Sequence, residues 1–185
     1  KWTGPADPAI RAAAGCRDLG LDARFAQAGW TLPGAEHRMA KELWNRQVPV
    51  LSGMQLRKHF RVPAVRHDAR MLQRWCERDG IDVIHAHLLG DHLPAAFAIG
   101  RAAKGSSAKG RTGSGRGHRP RLVRTLYDPE RPKRGWRERL AFVRTDGVLA
   151  PTRSVARAMV ADFGIPESRV LHLEPTTDPV GSRPA

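Results

Sequence analysis

The spacing of apolar residues changes several times along the chain, and each change marks an element. From Pro8 to Leu19, the residues Ile10, Ala13, Ala14 and Arg17 recur at helical spacing, with Gly20 as the stop. The stretch "LDARFAQ", residues 21–27, alternates as a strand does. No clean period runs from Trp30 to Gln47, although "HRMAKELW" suits a short helix; "VPVL", interrupted by Pro49, reads as a loop or a poor edge strand. "PAVRHDARMLQRWCERDG" then sets Val65, Ala69, Leu72, Trp75 and Cys76 on one helical face and closes at Gly80.

Beyond Gly80 strand and helix patterns alternate. "IDVIHAH" predicts a buried strand, and "DHLPAAFAIGRAAK" a helix with Leu93, Ala96, Phe97 and Gly100 on one face. Asp91 is placed to cap that helix and Pro94 fits its first turn. "RLVRTLY" predicts a strand, "GWRERLAFVR" a helix and "DGVLAP" a strand. Thr152 then caps "RSVARAMVADFG", a helix burying Val155, Met159 and Phe163 and ending at Gly164, and "RVLHLEP" is the last strand. This alternation predicts an α/β fold, a Rossmann-like doubly wound parallel sheet with helices on both faces. Residues 104–120 contain Gly, Ser, Lys and Arg with no acid, and predict a flexible basic insertion.

In such sheets ligands bind beyond the carboxyl ends of the strands. Those ends are "HAHLLGD", "LYDPE", "APTRS" and "EPTTD". The first, within "DVIHAHLLGDH", gathers three histidines and an aspartate near the H-x-H-x-D-H cluster of metallo-hydrolases, but with two extra residues between His87 and Asp91. The extra pair carries Asp91 to a helix start, where capping accounts for it, and only His118 and His172 remain downstream as further ligands. We therefore expect no metal. Strand alternation puts Val83, His85 and His87 on one side, with His85 packed beneath the rim and His87 at the end that meets a ligand.

A chain of 185 residues, 41% hydrophobic and 27% charged, fits one globular domain. Cys16 and Cys76 lie far apart inside helices and read as reduced core residues. With no run of eighteen apolar residues and no apolar core in "KWTGPADPAI", a cytoplasmic protein is expected. Lys and Arg outnumber Asp and Glu by 32 to 18, a formal charge of +14 that attracts polyanions or anionic lipid, although Arg-rich, high-GC coding accounts for it equally well. Within "LRKHFRVPAVRH", Arg57, Lys58, Phe60 and Arg61 suit contact with the inner face of a membrane, or else a packed loop with solvated charges. Nucleic-acid recognition is disfavoured by 6% aromatics, one Tyr and no recognised motif.

"DVIHAHLLGDH", "RLVRTLYD" and "TDGVLAPTRSVARAMVADFGIPESRVLHLEPTTD" together resemble the amino-terminal, acceptor-side domain of GT-B glycosyltransferases of the family 4-like group. "TGPADPAIRAAAGCRDLGLDARF" resembles the family's first helix and second strand, with Gly4 kept and Pro5 where a second Gly is usual. The resemblance implies one Rossmann-like domain over 1–178, lacking the fold's first strand upstream of Trp2, and a linker or tail at 179–185 before a second, donor-binding domain. It implies a retaining transfer from a nucleotide sugar, as co-substrate with no bound cofactor, to a lipid-linked, envelope or small-molecule acceptor. Gly4, His85, His87, Asp91, Tyr127, Asp128, Thr152 and Arg153 are the candidate substrate contacts, with no catalytic residue assigned. Tyr127 stands where some relatives carry a histidine. A chain that kept this fold as a non-catalytic binding domain, or as a nonspecific polyanion binder, is the alternative reading.

Overall fold

The structure is a computed structural model that describes residues 6–28, 38–57, 59–105, 119–130 and 132–173, with only the backbone path of 101–105. Gly4, Lys58, residues 106–118 of the basic insertion and the tail at 179–185 lie outside these residues.

The elements are α1 (Ala6–Asp18), β1 (Phe25–Ala28), α2 (Arg38–Asn45), β2 (Val50–Met54), α3 (Val62–Asp79), β3 (Val83–Ala86), α4 (Leu89–Gly105), β4 (Arg121–Thr125), α5 (Trp136–Phe142), β5 (Gly147–Ala150), α6 (Arg153–Phe163) and β6 (Val170–His172). Every strand pairing is parallel: β1 with β2 in one sheet, and β3-β4-β5-β6 in that order in the other. The expected single sheet is thus divided, and no strand among the described residues bridges β1 and β3. Of its two readings, "VPVL" takes the edge strand rather than the loop, since Val50 and Leu51 open β2, which among the described residues pairs only with β1. Pro49 stays just outside, lending its carbonyl to Phe25 N, and β2 begins one residue later, so the missing proline N–H is not needed in the ladder.

Alternation along the strands decides which helices each face meets. Phe25 packs with Ile10, Leu43 and Val48 beneath α1 and α2, while Ala26 and Leu51 face the cluster built by Leu72 and Trp75 of α3 and Leu93, Ala96 and Ile99 of α4. In the larger sheet Ile84, Ala86 and Leu122 join that same cluster, while Val148 packs with Phe142, Met159 and Ile165 in a separate one beneath α5 and α6. The opposite face is more open, with Val83 52% and Leu171 55% exposed. His85 and Thr125 lie on that open side by strand alternation. Gly100 leaves room on α4 for the Arg144 guanidinium, which crosses the helix to donate to Ala96 O at 3.0 Å.

Helix ends follow the sequence signals. Thr152 Oγ1 accepts from Val155 N at 3.1 Å, and α3 and α6 stop at Gly80 and Gly164 with φ of 64° and 66°. A Cβ at Gly164 would meet nothing within 4 Å, so only the left-handed backbone opposes a side chain there. Gly164→Ala is therefore expected to lower stability by about 1 kcal/mol, measured by urea unfolding. No change would mean that α6 ends by another geometry.

Candidate functional site

β3 and β4 lie side by side in register, His85 opposite Val123 and Ala86 opposite Arg124, so their carboxyl ends open onto a common rim. On the open side of that rim His85 Nε2 meets Thr125 Oγ1 at 2.6 Å and His87 Nδ1 meets Tyr127 Oη at 2.6 Å. The His85 and His87 rings lie 4.2 Å apart and His87 stacks on Tyr127 at 5.9 Å. His87 is half-buried, as expected of a rim residue, but His85 is exposed rather than packed beneath the rim, because no helix among the described residues covers that face of β3.

Burial first, then the neighbouring His85 and the Arg124 cation, pushes the His87 imidazole down to about 3. It is neutral at physiological pH, with one nitrogen donating and the other accepting. Burial pushes the Tyr127 phenol up to about 12, Arg124 pulling it down and Asp91 adding to the rise, so Tyr127 keeps its proton. The pair can hydrogen-bond and orient, but neither partner is tuned to shuttle protons near neutrality.

Asp91 turns away from the open side. Its carboxylate accepts from His87 N at 3.0 Å and Leu88 N at 2.8 Å, and Arg124 Nη1 stands 3.6 Å from it. The helix begins at Leu89, two residues before the expected cap. Asp91 therefore reaches back from the third helical position, as the acid of a capping box does. Burial raises its pKa, opposed by Arg124 and by the amides it accepts from.

His92 points into the core, 0% exposed, on the far side of the sheet from His85. Thr145 Oγ1 donates to Ala141 O at 3.0 Å, so it accepts from His92 Nε2 at 2.8 Å, leaving Nδ1 bare and without a partner. The histidines and the aspartate of "HAHLLGDH" thus diverge to Thr125, Tyr127, the backbone and Thr145. Among the described residues no three His, Cys, Asp or Glu side chains are placed to hold one metal ion.

The other candidates sit further along the same edge. Asp128 is exposed and bends onto its own loop, accepting from Glu130 N at 2.9 Å. Thr152 caps α6 and Arg153 is exposed beside it, two strand positions from β3, or roughly 10 Å along the rim. Sequence reasoning missed Arg124, Thr125 and Thr145. Arg124 left a signal, a cation two residues from Leu122 and so on the same inward side of the strand "RLVRT"; Thr125 and Thr145 left none.

The model of the family described as Glycosyltransferase Family 4 matches residues 10–179. No curated protein sequence matches the chain. Among solved structures, a glycosyltransferase from Rickettsia africae ESF-5 superposes with a TM-score of 0.62 at 12% identity, over 91% of this chain and 38% of that one, a likeness of fold. The chain thus spans well under half the length of that protein.

Proposed function

Since the chain belongs to Glycosyltransferase Family 4, we propose that it is the acceptor-binding half of a retaining glycosyltransferase that draws on a nucleotide-sugar donor. The donor would be held chiefly by a further domain, in keeping with the 38% of the solved glycosyltransferase that this chain spans. By itself the chain would bind sugar without turning it over.

The observation that carries this reading is the His87–Tyr127 pair at the rim of β3 and β4. Tyr127 keeps its proton and donates it to His87 Nδ1, which leaves Nε2–H as a fixed donor for a sugar hydroxyl. Asp91 holds the His87 and Leu88 amides, so the imidazole is offered from a fixed backbone. Arg153, exposed at the start of α6, is available to the donor's diphosphate, where a fixed cation favours the leaving anion.

Saturation-transfer NMR with nucleotide sugars and simple sugar acceptors tests the reading. The expected result is acceptor binding that weakens roughly tenfold in His87→Ala, the loss of one hydrogen bond to a desolvated group, and less in Tyr127→Phe. A folded chain that bound no sugar, or bound it equally well without the imidazole, would return the fold to a non-catalytic binding domain.

A further inference from the structure

Between β2 and α3 the chain makes an exposed loop that is fixed from behind. Asp68, 2% exposed, accepts from Gln55 N at 2.7 Å and Leu56 N at 2.9 Å. Leu56, at φ 43°, turns inward onto the core beside α3 and α4, while Arg57, His59, Phe60 and Arg61 are exposed. There the structure adds two residues that the sequence placed far away. Phe60 meets the Trp136 ring edge-on at 5.6 Å, and the Arg137 guanidinium lies 5.2 Å over the Phe60 ring.

The resulting surface is both apolar and cationic. Trp136 is 63% exposed and Val62 63%, and Arg57, His59, Phe60, Arg61 and Arg137 line one cleft with Leu89 and Gly90 of α4. The acid bordering that cleft, Asp68, has both oxygens on backbone amides, and Arg57, Arg61 and Arg137 make no ion pair among the described residues. Three unneutralised guanidinium groups around two exposed aromatic rings match the interfacial layer of a bilayer, where Trp prefers the headgroup level and Arg the anionic headgroups. A phosphate backbone would satisfy the cations but give the bare Val62 side chain nothing to bury against.

We propose that this face, centred on Phe60, Trp136 and Arg137, docks the protein on an anionic lipid surface. The cleft is walled by the first turn of α4, which Asp91 ties to the His87 rim. An acceptor carried in that lipid would therefore reach the rim without leaving the surface. This corollary rests on the sugar-transfer reading; the docking does not.

The test is co-sedimentation of the whole chain with phosphatidylcholine vesicles and with vesicles of phosphatidylcholine and phosphatidylglycerol. Binding to the mixed vesicles is expected to be roughly tenfold stronger and to fall as salt rises. Trp136→Ser should weaken it roughly tenfold through lost apolar burial, and the triple variant Arg57→Gln, Arg61→Gln, Arg137→Gln should remove the preference for anionic vesicles. Trp44 is even more exposed, at 83%, and lies on α2, whose Leu43 packs with Ile10 and Val48 away from the proposed face, so Trp44→Ser should leave binding unchanged. Circular dichroism confirms that each variant is folded. Equal binding to both vesicles, parental binding by Trp136→Ser, or an equal loss in both tryptophan variants overturns the docking face. Stronger retention on single-stranded oligonucleotide than on mixed vesicles also overturns it. Sugar binding without vesicle binding sinks this proposal alone, and vesicle binding without sugar binding sinks only the sugar-transfer reading.

Discussion

Lowering the pH from 7 to 5 is expected to destabilise the fold by about 2 kcal/mol for each of His92 and His87, read as a fall in the urea midpoint. The sign follows from where each state takes up protons. Histidines of the unfolded chain protonate as pH falls through about 6.5. Burial, with Arg124 nearby, holds the folded His92 at about 3; burial, His85 and Arg124 hold His87 at about 3. Stability from these groups is therefore fully present above about 6.5 and declines with acidification until the folded groups also titrate. For His92 the cause is visible, since a second proton would sit on the bare, buried Nδ1 with no acceptor, against the Phe142 ring at 4.9 Å. Asp91 acts in the opposite sense, because a carboxyl raised by burial takes its proton in the folded state first and so returns stability as pH falls. His92→Gln separates the two. Its side-chain amide can still donate to Thr145 but takes no proton, so the loss between pH 7 and 5 should shrink by about 2 kcal/mol. An unchanged pH slope in that variant would mean that His92 is not the buried neutral base described above.

What could be read beforehand was whatever is periodic or local. Leu72 and Trp75 on α3, Leu93 and Ala96 on α4, and Val155 and Met159 on α6 are buried where helical spacing put them. Caps are equally local, so Thr152, Gly80 and Gly164 announced their helix ends within four residues of sequence. Pairings between distant segments leave no such trace. His87 and Tyr127, like His85 and Thr125, lie forty positions apart and meet only because β3 and β4 pair in a register the sequence does not encode locally. The exposure of His85 depended on that face of β3 being left uncovered by any helix among the described residues. Phe60 and Trp136 are separated by more than seventy positions, so the basic loop was legible as amphipathic while its aromatic partner was not.

Removing the Asp91 carboxylate should be the most damaging single change at the rim. Arg124 is 10% exposed at its side chain and has no hydrogen bond from Nη1, so Asp91 at 3.6 Å is its electrostatic partner. Asp91→Ala leaves that cation buried and alone and frees the His87 and Leu88 amides together, an expected loss of about 3 kcal/mol. This stands at the low end for a broken buried pair because Asp91 itself keeps 30% exposure. Arg124→Met is expected to cost about 1 kcal/mol, since the aspartate retains its two amides and some water. If the pair is coupled, adding Arg124→Met to Asp91→Ala removes the stranded charge, and the double variant is more stable than Asp91→Ala alone, with a coupling of about 1–2 kcal/mol in urea unfolding. Strict additivity would mean that Arg124 is neutralised elsewhere, and the carboxylate's contribution would then reduce to helix capping. Sugar binding distinguishes the two roles of Asp91. The double variant regains stability but still lacks the carboxylate that fixes His87, so its acceptor affinity should stay as low as that of His87→Ala.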